Sequence, residues 1–451
     1  MLFNWQHNLD LIVGGGYQRF ARHLVINEVK PADFLESLQL LQEIIDQNTI
    51  DWGRISGLYI SHDIGSSESG TDVDSDDIQQ VATYAQQFVR CFPNVRKIAS
   101  HYNPRATVYK AFIGRLYAHY GPQLRAFQGD YLHRPVNMRF GHDLTSLVIA
   151  CKCLRRLGER AIYAPALKHL VIRQASYHRL PWGAFYDDGG SSSKTLAFQS
   201  LAHLVLDYCY GNPQTDRALN STIPAFPKQL LFPKLQKLEV MGFLLSCPVM
   251  FHAQLPSRLW LMRLTCPVRV ARALASRILP TALDISCEIM SDFVDKDSNP
   301  VKAANALLGA IRATERLYVH YSVQESNIWA DMEWSSVTSL RINSPTTASD
   351  TLLILSRIPR VQSLIVRCLR VSGLELDDDV ETFNKQPDAN SRDVSVRELH
   401  LFRCSSEKSP YDCLRFAQIL RSTFPGLRMV TVDCKDLASS GLYTGQQIIR
   451  R

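Results

Sequence analysis

Pro165-Ala166-Leu167-Lys168-His169-Leu170-Val171-Ile172-Arg173 places its apolar residues at the spacing apolar-x-x-apolar-x-apolar, and that spacing returns along the whole chain. Phe232-Pro233-Lys234-Leu235-Gln236-Lys237-Leu238-Glu239-Val240 has the same form. So do Phe92-Pro93-Asn94-Val95-Arg96-Lys97-Ile98 and Phe424-Pro425-Gly426-Leu427-Arg428-Met429-Val430-Thr431-Val432. A unit that recurs at roughly 20 to 35 residues and carries L-x-x-L-x-L marks a leucine-rich-repeat solenoid. The expected fold is therefore α/β and curved, with about fifteen parallel strands on the concave face and helices on the convex face.

The composition agrees with a folded array. Of 451 residues, 46% are hydrophobic and 21% charged, which excludes wholesale disorder. The net charge of +7 is scattered, and without a basic run it points away from nucleic acid and acidic membrane. Eleven cysteines, an odd number lying beside apolar segments, fit free buried thiols in a reducing compartment. Met1–Asp10 lacks the basic-then-apolar order of a secretory signal, and no apolar run reaches the roughly 18 residues of a membrane span. Together these predict a cytoplasmic and/or nuclear protein.

In chain order, residues 1–18 read as an N-terminal remnant or cap, 19–435 as one irregular array, and 436–451 as a tail. Polar insertions interrupt the array near 61–77 and 375–392. Strands are expected to open at the first apolar residue of each copy, for instance at Val95, Leu124, Leu144, Leu167, Leu201, Leu235, Val361 and Leu427. Helical periodicity marks Pro31–Gln47, about Ile78–Cys91, Arg105–Tyr120, Pro267–Ile278, Val301–Thr314, Ser349–Ile358 and Tyr411–Phe424. Asp33 is placed to cap the first of these, and Pro267 suits a first helical position.

Several stretches imitate chemical motifs and fail on spacing. Gly14-Gly15-Gly16 lacks G-x-G-x-x-G spacing. Asp72-Val73-Asp74-Ser75-Asp76 opens like a calcium loop, but Asp77 stands where Gly is needed and Thr83 where Glu is needed. Asp187 to Thr195 ends in Lys194-Thr195 like a phosphate loop, with Ser193 in place of its Gly. Cys151 and Cys153 make one C-x-C without a second pair at zinc spacing. His169 and His203 fall on repeat strands, outside any nucleophile motif, so neither catalysis, metal nor cofactor is expected.

What the pattern does offer is a surface. In x-L-x-L-x the x side chains point away from the core and vary freely. In the later repeats they include Arg263, Arg316, Tyr318, His320, Arg341, Arg367, His400 and Phe402, with Glu398 and Asp284 on the same face. Arg and aromatic residues contribute strongly at protein interfaces, so this surface is expected to take an acidic segment of a protein partner.

Irregular repeats led by Phe-Pro-x-Leu or Pro-x-Leu, from Gln18 to about Asp433, resemble the leucine-rich region of fungal F-box proteins; ribonuclease-inhibitor-like arrays share the pattern. The resemblance implies the substrate-recognition array of a ubiquitin ligase adaptor, in which a preceding F-box docks onto a Skp-type adaptor. Met1–Phe20 contains no Leu-Pro opening of that module, so the array is expected without it.

Overall fold

The computed structural model describes residues 2–4, 22–28, 31–46, 52–62, 75–100, 107–129, 138–175, 182–189, 195–208, 229–241, 254–265, 279–287, 315–321, 336–358, 360–371, 396–406, 409, 411–424, 426–434 and 446–450. The chain falls into two compact units. The first comprises Met1–Cys209, Ala225–Leu235 and His252–Gln254; the second comprises Tyr210–Pro224, Gln236–Phe251 and Leu255–Arg451.

Among the described residues, eight repeats begin with a turn that their apolar residues dictate. The N–H of the first apolar residue donates to the carbonyl three positions back: Leu124 to Gly121, Leu167 to Ala164, Leu201 to Phe198, Leu235 to Phe232 and Leu427 to Phe424. Proline at the second turn position, as in Phe232-Pro233-Lys234-Leu235, presets the φ angle this turn needs. The first apolar residue thus belongs to the turn, and the strand opens two residues later than the apolar pattern alone suggests. Leu124 precedes the strand Ala126–Gly129, Leu144 precedes Ser146–Ala150 and Leu167 precedes His169–Ala175.

A second device sets the register. The residue after that first apolar position offers one carbonyl to two N–H groups of the next repeat. Arg96 O accepts from Arg125 and Ala126, Arg125 O from Thr145 and Ser146, and Thr145 O from Lys168 and His169. The same bifurcation recurs in the second unit at Glu315, Thr338, Gln362 and Arg397.

In the first unit the strands Leu2–Asn4, His23–Glu28, Gly57–His62, Lys97–Ser100, Ala126–Gly129, Ser146–Ala150, His169–Ala175 and His203–Tyr208 pair in that order, all parallel. In the second, Lys237–Met241, Arg258–Thr265, Leu279–Cys287, Arg316–Tyr321, Ser339–Thr347, Ser363–Val371, Glu398–Ser406 and Met429–Cys434 do the same. Gln446–Arg450 then joins Met429–Cys434 antiparallel. A sequentially ordered parallel ladder of L-x-x-L-x-L strands, with helices packed behind it, is the α/β leucine-rich-repeat solenoid.

The backs of the repeats differ. Helices Pro31–Asp46, Ser75–Cys91 and Thr107–Tyr120 serve the early repeats and meet through an aromatic cluster. In it Phe34 lies 4.5 Å from Tyr109, and Phe88 lies 4.5 Å from Phe92. In the later repeats of the first unit the described helix is the short Cys151–Leu157. These repeats also carry two narrow parallel ladders, Ile162–Tyr163 with Phe185–Tyr186 and Thr195–Ala197 with Gln229–Leu231. Behind the second unit lie Ala348–Arg357, opened by a Thr347/Asp350 capping box, and Tyr411–Thr423.

One local expectation changes, at Asp33. Asp33 lies inside the first turn of Pro31–Asp46, where its charge favours the helix N-terminus, and does not precede the helix as a cap. Thr195 opens a strand, not the helix a phosphate loop requires, and Asp187 accepts from the N–H groups of Gly189 and Ala197. Cys151 and Cys153 are buried thiols on the helix Cys151–Leu157. The expected helices at Pro267–Ile278 and Val301–Thr314, the Gly14–Gly16 triplet, Asp72–Asp74 and the 375–392 excursion lie outside the described residues.

Candidate functional site

The strand face of the second unit carries all the partner-binding candidates, and the ladder sorts them into rows. Glu239, Arg263, Asp284, Tyr318, Arg341, Ile365, His400 and Thr431 are successive register partners, so Arg263, Tyr318, Arg341 and His400 share one row. Arg316 lies in the row before it, between Ala282 and Ser339. His320 lies in the row after, opposite Ser286. Arg367 and Phe402 follow directly on the paired residues Val366 and Leu401. The candidates therefore form a band three rows deep, crossed by Asp284, Ile365 and Glu398.

Local contacts distinguish the cations in this band. Arg263 Nη1 donates to Glu239 Oε2 at 2.9 Å across the ladder. With the Arg side chain 42% exposed and the Glu 12% exposed, that pair neutralises one end of the row. Arg316 and Arg367 are exposed and Arg341 is half-buried. The three occupy neighbouring strands in successive rows, a diagonal of cations between Asp284 on one side and Glu398 on the other. His400 stacks on Phe402 with ring centroids 6.1 Å apart at 5°, and its Nε2 lies 4.0 Å from Glu398 Oε2. The side chains of Tyr318 and His320 lie outside the described residues.

Sequence reading passed over Trp260, which is 53% exposed with the Lys237 ammonium 4.6 Å from its ring centroid. A signal was present, because Trp260 stands between two apolar positions of Leu259-Trp260-Leu261-Met262. On the first unit, Ser146 Oγ lies 3.2 Å from His169 Nδ1, and the His169 ring lies 4.7 Å from that of His203. Ser146, His169 and His203 are register partners, so the trio is one row of outward strand residues. His23, in the same row, has its pKa lowered chiefly by burial, with the Lys97 ammonium adding to the effect. Asp207, near the other edge, is raised by burial while Arg173 opposes the shift.

No protein-family model matches the chain, and no curated protein matches it. Among solved structures it is similar to the leucine-rich repeat-containing protein LegL7 from Legionella pneumophila, at 14% identity over 50% of this chain and 89% of that one, with a TM-score of 0.24. It is also similar to a leucine-rich-repeat protein of Leptospira interrogans, at 14% identity over 91% of this chain and 89% of the other, with a TM-score of 0.27. Among the described residues, no helix is long and apolar enough to cross a membrane.

Proposed function

We propose that this chain is a non-catalytic scaffold that binds a protein partner through the strand face of its second unit. The observation that carries the reading is the diagonal of Arg316, Arg341 and Arg367 on neighbouring strands, with no acidic residue of the ladder between them. Guanidinium groups pair with carboxylates in a two-pronged fashion, which favours an acidic segment as the ligand. The core below is built from Leu317, Leu340, Leu364 and Val366, so the face can change chemistry without altering the fold.

The finer reading is the substrate-recognition array of an F-box-type ubiquitin ligase adaptor. Its support is the likeness of the Phe-Pro-x-Leu repeats to that family, and a scaffold unconnected with ubiquitin is the alternative. Two experiments separate these readings. Replacing Arg316, Arg341 and Arg367 together by Ser should abolish capture of a cellular partner while thermal unfolding stays near that of the parent. Unchanged capture would move the binding face elsewhere. Co-purification with a Skp-type adaptor would support the ligase reading, and its failure with the full-length gene product would leave the plain scaffold.

A further inference from the structure

The first unit presents a different surface. The residues whose carbonyls set the register include Arg96, Arg125, Thr145 and Lys168, each immediately before one of four successive strands. Lys97 follows Arg96 at the start of its strand. Arg125, Lys168 and Lys97 are exposed and Arg96 is half-buried. This is a basic band along one end of the strands.

Three residues past Arg96, Arg125 and Lys168, and two past Lys97, the chemistry changes. Tyr59, Ala99, Gln128, Val148, Val171 and Val205 are successive register partners. Tyr59 is 38% exposed, Ala99, Val148 and Val171 are half-buried, and Val205 is 6% exposed. An apolar stripe therefore runs parallel to the basic band, about 10 Å away at the rise of a strand, beyond the row of Lys97, Ala126, Ser146, His169 and His203. At about 4.8 Å per strand it is about 24 Å long. Neither line contains an acidic residue. Among the described residues, Asp143 stands in the turn before Thr145, and Asp207 two positions past Val205, where Arg173 acts on it.

We propose that this face docks an acidic amphipathic helix of a partner protein, its apolar stripe on Tyr59 to Val205 and its carboxylates toward Arg96, Lys97, Arg125 and Lys168. A helix fits because its apolar and charged faces are adjacent and both reach one surface. An extended strand sends successive side chains to opposite sides and cannot cover both lines at once. A single nucleic-acid strand stacks its bases on aromatic side chains, whereas aliphatic residues fill most of this stripe. The length of the stripe corresponds to about 16 helical residues. The proposal rests on the protein-scaffold reading but uses a separate surface, so the two can fail separately.

The probe is a fluorescein-labelled synthetic amphipathic helix of about 16 residues with Leu at helical spacing and Glu along one flank, titrated with the full chain by anisotropy. The comparators are the same peptide with Lys for Glu, and oligo(U) RNA. Reversing charge in the K97E/R125E/K168E variant should weaken the acidic peptide at least about tenfold, with steeper salt dependence in the parent. Val171→Lys gives an independent readout, because it adds positive charge while breaking the apolar stripe. Docking as proposed predicts weaker binding, and purely electrostatic attraction predicts stronger binding. The R316S/R341S/R367S variant should bind this peptide like the parent.

Circular dichroism and thermal unfolding verify that each variant folds. The proposal is overturned if the acidic peptide binds no tighter than its Lys version, if RNA binds tighter than either, or if Val171→Lys strengthens binding. It is also overturned if only the second-unit variant loses the peptide, an outcome that would leave the scaffold reading intact.

Discussion

Phe198→Ala tests whether the repeats stabilise one another through neighbours. Phe198 is fully buried and its ring stacks on Phe232, with centroids 5.1 Å apart at 22°. Trp182 and Phe185 flank it at 5.8 Å and 5.4 Å. Its backbone N–H donates to Leu231 O at 2.9 Å, a bond that Ala keeps, so the substitution removes packing alone. Truncating a buried Phe costs about 3 to 5 kcal/mol. With three aromatic neighbours left facing a cavity, the expected loss is about 4 kcal/mol. Phe198→Leu, which keeps most of the volume, should lose less than about 1.5 kcal/mol.

Urea unfolding followed by fluorescence reads the total, with Trp182 as a local reporter. Hydrogen exchange reads where the loss falls. In a repeat array each unit leans on its neighbours, so protection should drop over 195–206 and 229–232 while Ser363–Val371 keeps its own. A loss below about 1 kcal/mol, or an equal drop in both regions, would refute the neighbour-coupled picture.

Gly57→Ala should destabilise by about 1 to 3 kcal/mol, because a Cβ at Gly57 runs into His23 Nδ1; adding His23→Ala should restore most of the loss in a double-mutant unfolding cycle. Because burial depresses the His23 pKa in the fold, the unfolded chain takes up its proton first, and stability should fall as pH drops below about 6.5; His23→Gln should flatten that limb of a melting-temperature profile. Asp207 has the opposite sign: its raised folded pKa contributes stability below 3.8 that is lost as pH rises through the folded value, and Asp207→Asn should remove that dependence. Removing either member of the capping box, by Thr347→Ala or Asp350→Ala, should cost about 1 kcal/mol in urea unfolding, and the double variant less than the sum.

The apolar spacing made the repeat and the inward residues legible. Leu167, Leu170 and Ile172 are all fully buried, as the opening stretch requires. The boundaries were displaced by two residues because sequence periodicity shows burial, whereas a strand starts where backbone pairing starts. Leu124 is as buried as any strand residue, yet its N–H closes a turn. The two narrow ladders behind the first unit carry no period, because strands as short as Ile162–Tyr163 have none to show. Lateral neighbours were hidden for another reason. That Glu239 would stand beside Arg263, or Lys97 beside Ala126, depends on how much chain each repeat spends returning, and no local pattern reports that length.

The bifurcated carbonyl also bears on how freely such a chain can be lengthened. Ser56 and Arg96 are linked in this way although 40 residues separate them (96 − 56), while Arg125 and Thr145 are only 20 apart (145 − 125). Phase is renewed at one backbone oxygen per repeat, whatever the intervening segment does. Doubling a return segment adds only about 0.6 kcal/mol of closure entropy and leaves the next strand in place. Foreign peptides or whole domains grafted between a strand's end and the following turn should therefore be carried without shifting the residues aligned on the strand face. The same tolerance would let one lineage of such chains diverge in length far more than in surface geometry.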